Sequence, residues 1–214
     1  METISKITAA VSSTRKGPRP GFDIADSLRE AGMTVLGSGA FGAVTKSDEG
    51  VFKIFAKDEQ GYGEYLNYMK GRWSVLSPRV TLLSGGATTD KWTVIKIEEL
   101  TSINNDDMMA ELGITMKDVQ DMGNFIYYYI QRRKWARQGN KNNGKLRAPA
   151  WMNKVVDLKN FKGYLDKMMD HADKVERETG VVLYWDLHYG NVMIRRDENA
   201  IRPLQLVITD PWCV

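Results

Sequence analysis

The stretch Val181 to Ile194, VVLYWDLHYGNVMI, completed by LVITDP at Leu206 to Pro211, decides how this chain is read. Its apolar runs VVLYW, NVMI and LQLVI alternate with polar punctuation, the pattern of short buried strands joined by loops. Between the first two runs lies Asp186-Leu187-His188-Tyr189-Gly190-Asn191, which sets a carboxylate and a carboxamide five residues apart. The third run delivers a second carboxylate, Asp210, just before a proline that cannot extend a strand ladder. Two acids and an amide at the ends of neighbouring short strands can hold a divalent cation and orient a hydroxyl.

Composition bounds the answer. Of the 214 residues, 27% are charged and 43% hydrophobic, the balance of a globular chain large enough for one big domain or two lobes. A net charge of +3 does not by itself call for nucleic acid, so direct nucleic-acid binding is not expected and any basic docking surface must be local. No apolar run nears the roughly 18 residues of a membrane span, and METISKITAAVSSTRKG lacks the apolar core of a signal peptide. No membrane partner is expected. The single cysteine, Cys213, can form no internal disulfide, which suits a reducing cytoplasm.

Residues 1–20 are polar and end in Thr14-Arg15-Lys16-Gly17-Pro18-Arg19-Pro20, read as a flexible arm. A short helix is expected next, with Asp23 as its cap and Ile24, Leu28 and Ala31 on one face. Then Gly37-Ser38-Gly39-Ala40-Phe41-Gly42-Ala43-Val44 matches G-x-G-x-x-G-x-V in full. Glycines there let a strand–turn–strand backbone lie directly over phosphates. A bare GxGxxG can also open a dinucleotide-binding helix. Here a turn, Ser47-Asp48-Glu49-Gly50, and another strand, Val51 to Phe55, follow instead, which favours a phosphate-covering hairpin.

Lys53 shares a strand face with Val51 and Phe55 by alternation. It is either an edge lysine reaching water or a phosphate-gripping cation held by an acid on the next helix. Glu64 is the candidate acid, with Glu59 as the alternative. Val80–Leu83 and Trp92–Ile97 read as strands around a Gly85-Gly86 turn, completing a small antiparallel sheet. From Asp106 the period is helical: Met116–Arg137 carries Val119, Met122, Ile126 and Tyr129 at helical spacing. Asp157–Thr179 carries Leu158, Phe161, Leu165, Met168, Ala172 and Val175 as one apolar stripe, with His171 beside it as a structural residue. Between those helices, Arg132, Arg133, Lys134, Arg137, Lys141, Lys145 and Arg147 form a basic run without an acid. That run is either a solvated loop or a surface for phosphates, nucleic acid or an acidic partner.

With the glycine loop, Lys53, Asp186, Asn191 and Asp210 in this order, the chain resembles the protein kinase superfamily. More narrowly, it is similar to the early serine/threonine kinases of short-tailed lytic bacteriophages, from about Val35 to Pro211. Its distinctive pieces are Ile103-Asn104-Asn105-Asp106, Asp186-Leu187-His188-Tyr189-Gly190-Asn191-Val192-Met193 and Ile208-Thr209-Asp210-Pro211. Tyr184 stands where such kinases carry a histidine, and His188 where many carry a lysine. The chain ends at Val214 without an activation loop or peptide-docking helices, so the resemblance implies a truncated helical lobe.

That resemblance implies an α+β, compact two-lobed kinase-like fold: an arm at 1–20, a small antiparallel sheet lobe at 21–100 and a helical lobe at 101–214. It implies ATP and Mg²⁺ as cofactors. Gly37, Ser38, Gly39, Phe41, Gly42 and Val44 would cover the nucleotide, with Lys53 and Glu64 aligning its phosphates. Asn191 and Asp210 would hold the metal, and Asp186, with His188 beside it, would serve the attacking hydroxyl. The role implied is phosphorylation of host proteins of transcription, translation or RNA processing, RNA polymerase and RNA-processing enzymes among them, in the cytoplasm of the infected cell. Arg132, Arg133, Lys134 and Arg137 are the expected docking residues for an acidic partner. Two other readings stay open: a small-molecule kinase, and a catalytically silent kinase-fold protein that binds a host factor.

Overall fold

The computed structural model of the chain describes residues 2–14, 17, 19–72, 74–81, 91–137 and 146–214. It is a mixed α/β structure with small antiparallel sheets, and its chain divides into two compact units. The first comprises Met1–Glu59 and Pro78–Glu99; the second, Gln60–Ser77 and Leu100–Val214. Among the described residues, no helix is long and apolar enough to cross a membrane.

In the first unit, helices α1 (Glu2–Ser12) and α2 (Pro20–Glu30) precede strands β1 (Thr34–Ser38), β2 (Gly42–Ser47) and β3 (Gly50–Ala56). Strands β4 (Val80–Thr81) and β5 (Trp92–Ile97) complete an antiparallel sheet in the order β1-β2-β3-β5-β4. Strand alternation divides β3: Phe52, Ile54 and Ala56 join Ala43, Trp92 and Val94 in a core with Ile7, Val11, Ile24, Ala25 and Leu28 of the two helices. Lys53 therefore lies on the face of the sheet turned away from α1 and α2. The β1–β2 register slips between Val35 and Gly37. Leu36 is thereby the extra residue of a bulge that bends the strand into the glycine loop.

The N-terminal residues correct an expectation. Residues 2–12 are helical and not part of a flexible arm, because Ile4, Ile7 and Val11 form an apolar stripe; Ile7 and Val11 are fully buried. The Trp92 indole N–H donates to Val11 O at 2.9 Å, satisfying one of the orphan carbonyls at the end of α1. Thr14, also buried, shares a 2.8 Å hydrogen bond with Ser27. Helix α2 starts three residues before Asp23, with Pro20 at its first position, where a fixed φ and a missing N–H do no harm. Ala31 is its C-cap rather than a core residue. The Gly85-Gly86 turn and the end of the Val80–Leu83 strand lie outside the described residues.

The second unit opens with α3 (Gln60–Met69), within the 21–100 range that the sequence assigns to the sheet lobe. Its aromatic face packs within that unit: Tyr65 and Tyr68 make edge-on contacts with Trp212, and Tyr68 with Tyr164. Then come β6 (Thr101–Ser102), α4 (Asp106–Leu112), α5 (Met116–Arg137), α6 (Met152–Val155) and α7 (Leu158–Thr179). Asn105 caps α4 by accepting from Met108 N–H, and Asp157 caps α7 by accepting from Asn160 N–H. Gly180 ends α7 at φ 75°, a left-handed conformation that suits glycine. Strands β7 (Tyr184–Trp185), β8 (Val192–Arg196), β9 (Leu204–Ile208) and β10 (Trp212–Cys213) form two small sheets, β6-β8-β9 and β7-β10. Five of the six expected stripe residues of α7 are buried, Leu158 being half-buried, and α5 buries Phe125 and Ile130 besides the expected Val119, Met122 and Ile126.

Candidate functional site

The short ladder between β7 and β10 pairs Trp185 with Trp212 and Tyr184 with Cys213. Where it ends, the Asp186 N–H donates to Pro211 O at 2.9 Å. On the other side, Val192 of β8 is the register partner of Ile208 of β9, so the residues just before β8 and just after β9 meet. The Thr209 N–H and hydroxyl both donate to Asn191 O, at 3.0 and 3.2 Å. Asp210 stands between those two anchored residues. The Asn191 amide closes the corner, donating from Nδ2 to Asp186 O at 2.7 Å and to Asp186 Oδ2 at 3.3 Å. Asp186, Asn191 and Asp210 are thus brought together within the second unit, from the ends of three strands.

His188 belongs to the same corner. Its Nδ1 accepts from the Gly190 N–H at 3.0 Å, which in the neutral ring leaves the proton on Nε2. That Nε2 lies 3.9 Å from Asp186 Oδ1, with both side chains about half exposed, so water screens the contact. A Cβ on Gly190 would meet the imidazole at 2.6 Å. Glycine is what lets the ring lie back over its own loop.

The donor set here is two carboxylates and one amide oxygen. Hard oxygens of this number suit Mg²⁺, which takes one or two carboxylates and keeps several waters. With Nδ2 of Asn191 committed to Asp186, its Oδ1 is the atom suited to a cation. Among the described residues, no three His, Cys, Asp and Glu side chains converge as a metal-binding group, so a cation here would rely on the amide as well as the acids.

The remaining predicted residues divide between the units. In the first, Ser38 ends β1, Val44 pairs across the ladder with Lys53, and Lys53 pairs with Ile95. Phe41 is 40% exposed at the loop tip. Of the three loop glycines, only Gly42 is required by packing, since a Cβ there would stand 2.6 Å from Ile54 O. Nothing among the described residues lies within 4 Å of a Cβ placed on Gly37 or Gly39, and neither has a positive φ. Glu64 belongs to the second unit, where Oε2 lies 3.4 Å from His171 Nε2 without the alignment of a hydrogen bond. Burial holds the His171 imidazole below its ordinary pKa, and the Glu64 carboxylate offsets part of that effect.

Several supporting residues escaped the sequence reading. The Tyr65 hydroxyl donates to Ile208 O at 2.5 Å, tying α3 to the strand that delivers Asp210, and burial keeps that phenol protonated. Arg195 is 2% exposed and donates to Val75 O and Ser77 O, both at 2.7 Å. Its place in NVMIRR, on a buried strand, was the available signal. Arg133 is held by α7, donating to Asp166 O and Oδ1 at 2.8 and 3.1 Å and pairing with Asp170 at 2.5 Å. Arg132 and Lys134 are exposed, whereas Lys141, Lys145 and the Arg137 side chain lie outside what the structure describes. No protein-family model, curated protein or solved structure matches this chain.

Proposed function

We propose that the chain is an ATP-dependent serine/threonine protein kinase with a two-lobed kinase-like architecture, working in the cytoplasm on proteins of transcription, translation or RNA processing. The observation that carries this reading is the convergence of Asp186, Asn191 and Asp210 in one hydrogen-bonded corner. Gly37 and Gly39 add to it, because among the described residues neither the packing nor the backbone requires glycine there. A ligand lying against the loop would.

In this reading the glycine loop covers the triphosphate and Lys53 neutralises its oxygens. Asp186 accepts a hydrogen bond from the substrate hydroxyl and takes its proton as the oxygen attacks the γ-phosphorus. The bond from that phosphorus to the bridging oxygen breaks, and ADP leaves with the bonding pair. His188, whose Nε2 faces Asp186, orients that carboxylate. Asn191 and Asp210 would hold Mg²⁺, which supplies charge neutralisation when bound.

The test is transfer of γ-labelled phosphate from ATP into a bacterial lysate, separated into protein and small-molecule fractions. The parent should label protein on serine and threonine, and Asp186→Asn should lose several orders of magnitude in rate with its Mg-ATP affinity kept. Asp210→Asn should lose rate and also weaken Mg-ATP binding by on the order of tenfold or more. Label confined to small molecules, or binding without transfer, would overturn the protein-kinase assignment.

A further inference from the structure

The glycine loop is touched from behind by a helix. Gly21, the second residue of α2, donates its N–H to Ala40 O at 3.1 Å. A Cβ on Gly21 would stand 2.1 Å from Gly39 O and 2.5 Å from both Gly42 N and Gly42 O. Those are backbone atoms, which cannot rotate aside as a side chain can. Glycine is a poor helix residue, and Gly21 has no positive φ that would call for it. Close approach to the loop is the reason it is there.

That approach has a consequence for the loop. The carbonyls of Gly39 and Ala40 both face α2. In a trans peptide the C=O and the following N–H point in opposite directions, and the described chain has no cis peptide. The N–H groups of Ala40 and Phe41 are therefore turned away from α2, side by side. Successive amides presented this way form a concavity suited to anionic oxygens. Pro20, Gly21, Ile24 and Ala25 are buried, so the first turn of the helix, which sets this orientation, is itself anchored in the core.

We infer that the first turn of α2 belongs to the phosphate-binding apparatus: by drawing two loop carbonyls to Gly21 it aims the Ala40 and Phe41 amides at the phosphate oxygens of a nucleoside triphosphate. Gly21 is a positioning residue that touches no ligand. The inference rests on the nucleotide reading above, and its test separates the two.

The full chain is compared with Gly21→Ala and with Leu28→Ala, which damages the same helix about two turns from the loop. Mg-ATP affinity is measured by calorimetry, and amide exchange at Gly39 is followed without nucleotide, because its N–H is bonded to Gly42 O at 2.9 Å. Gly21→Ala should weaken Mg-ATP by about tenfold or more and speed Gly39 exchange by a similar factor. Leu28→Ala should lower the melting temperature yet keep affinity within about twofold. If Gly21→Ala does not fold, Ile24→Val loosens the same turn and should shift both readouts in the same direction, by about two- to threefold. A folded Gly21→Ala with parental affinity and parental Gly39 exchange overturns the inference. A parent that binds no Mg-ATP removes the kinase reading and with it the ligand assigned here; faster Gly39 exchange in Gly21→Ala would then uphold only the bracing of the loop, and unchanged exchange would overturn that too.

Discussion

His171 shows what a single partly buried titratable group does to this molecule. It stacks on Trp212, meets Tyr68 edge-on, and faces the Glu64 carboxylate, with Arg72 and Lys174 as neighbouring cations. Desolvation is the larger influence, so its folded-state pKa lies below the unfolded value of about 6.5. Above that value both states are neutral and the imidazole gives no pH dependence. As pH falls below it, the unfolded chain takes up the proton first, and stability declines until the folded pKa is passed. The thermal midpoint should thus fall between pH 7.5 and 5.5, and fall less in His171→Gln; equal falls would acquit the imidazole. Asp186, Asn191 and Asp210 were legible in the sequence because short strands put their chemistry at the ends of apolar runs. The His171–Glu64 contact was not, because nothing local in α7 announces a partner on α3.

Among the elements, α5 and α7 were legible because their apolar periodicity runs over many turns. Helix α1 was not: the stripe Ile4, Ile7, Val11 is diluted by polar neighbours, and the basic, proline-containing residues after it suggest a linker. Its burial makes a definite prediction. Val11→Ala removes two fully buried methyl groups beside Trp92 and should cost about 2 kcal/mol in denaturant unfolding. No change in the denaturation midpoint would mean that α1 is not docked in solution. The β1–β2–β3 hairpins were readable from turn residues, but the bulge at Leu36 was not. It depends on how the loop beyond it is held.

For the whole molecule, the sequence puts a change from strand to helical periodicity after residue 100, and the two compact units have one boundary at Glu99/Leu100. It could not show that 60–77 returns to the second unit, since that follows from α3 packing its tyrosines on Trp212, far along the chain. The modest net charge makes local charge the lever for partners. Arg133 pairs with α7, and Arg132 and Lys134, exposed on the same helix, are the positions at which the proposed docking of an acidic substrate is tested. Changing both to alanine should lower phosphorylation of a protein target while sparing self-phosphorylation. The parental reaction should weaken as salt rises from about 50 to 200 mM, since exposed charges are screened over about 10 Å at 0.1 M. A double variant with parental activity at both salt concentrations would leave the run as a solvated surface.

The bond from Trp92 to Val11 spans 81 residues. A ribosome adding about 5–20 residues each second takes roughly 4–16 s to cover that interval. For that time the apolar stripe of α1 still lacks Trp92 and Val94, although Ile24, Ala25 and Leu28 and then Phe52 and Ile54 arrive sooner. The core around α1 is thus incomplete over that interval, and incompletely covered apolar surface is prone to aggregate. Anything that slows translation between the glycine loop and Trp92 lengthens that exposure.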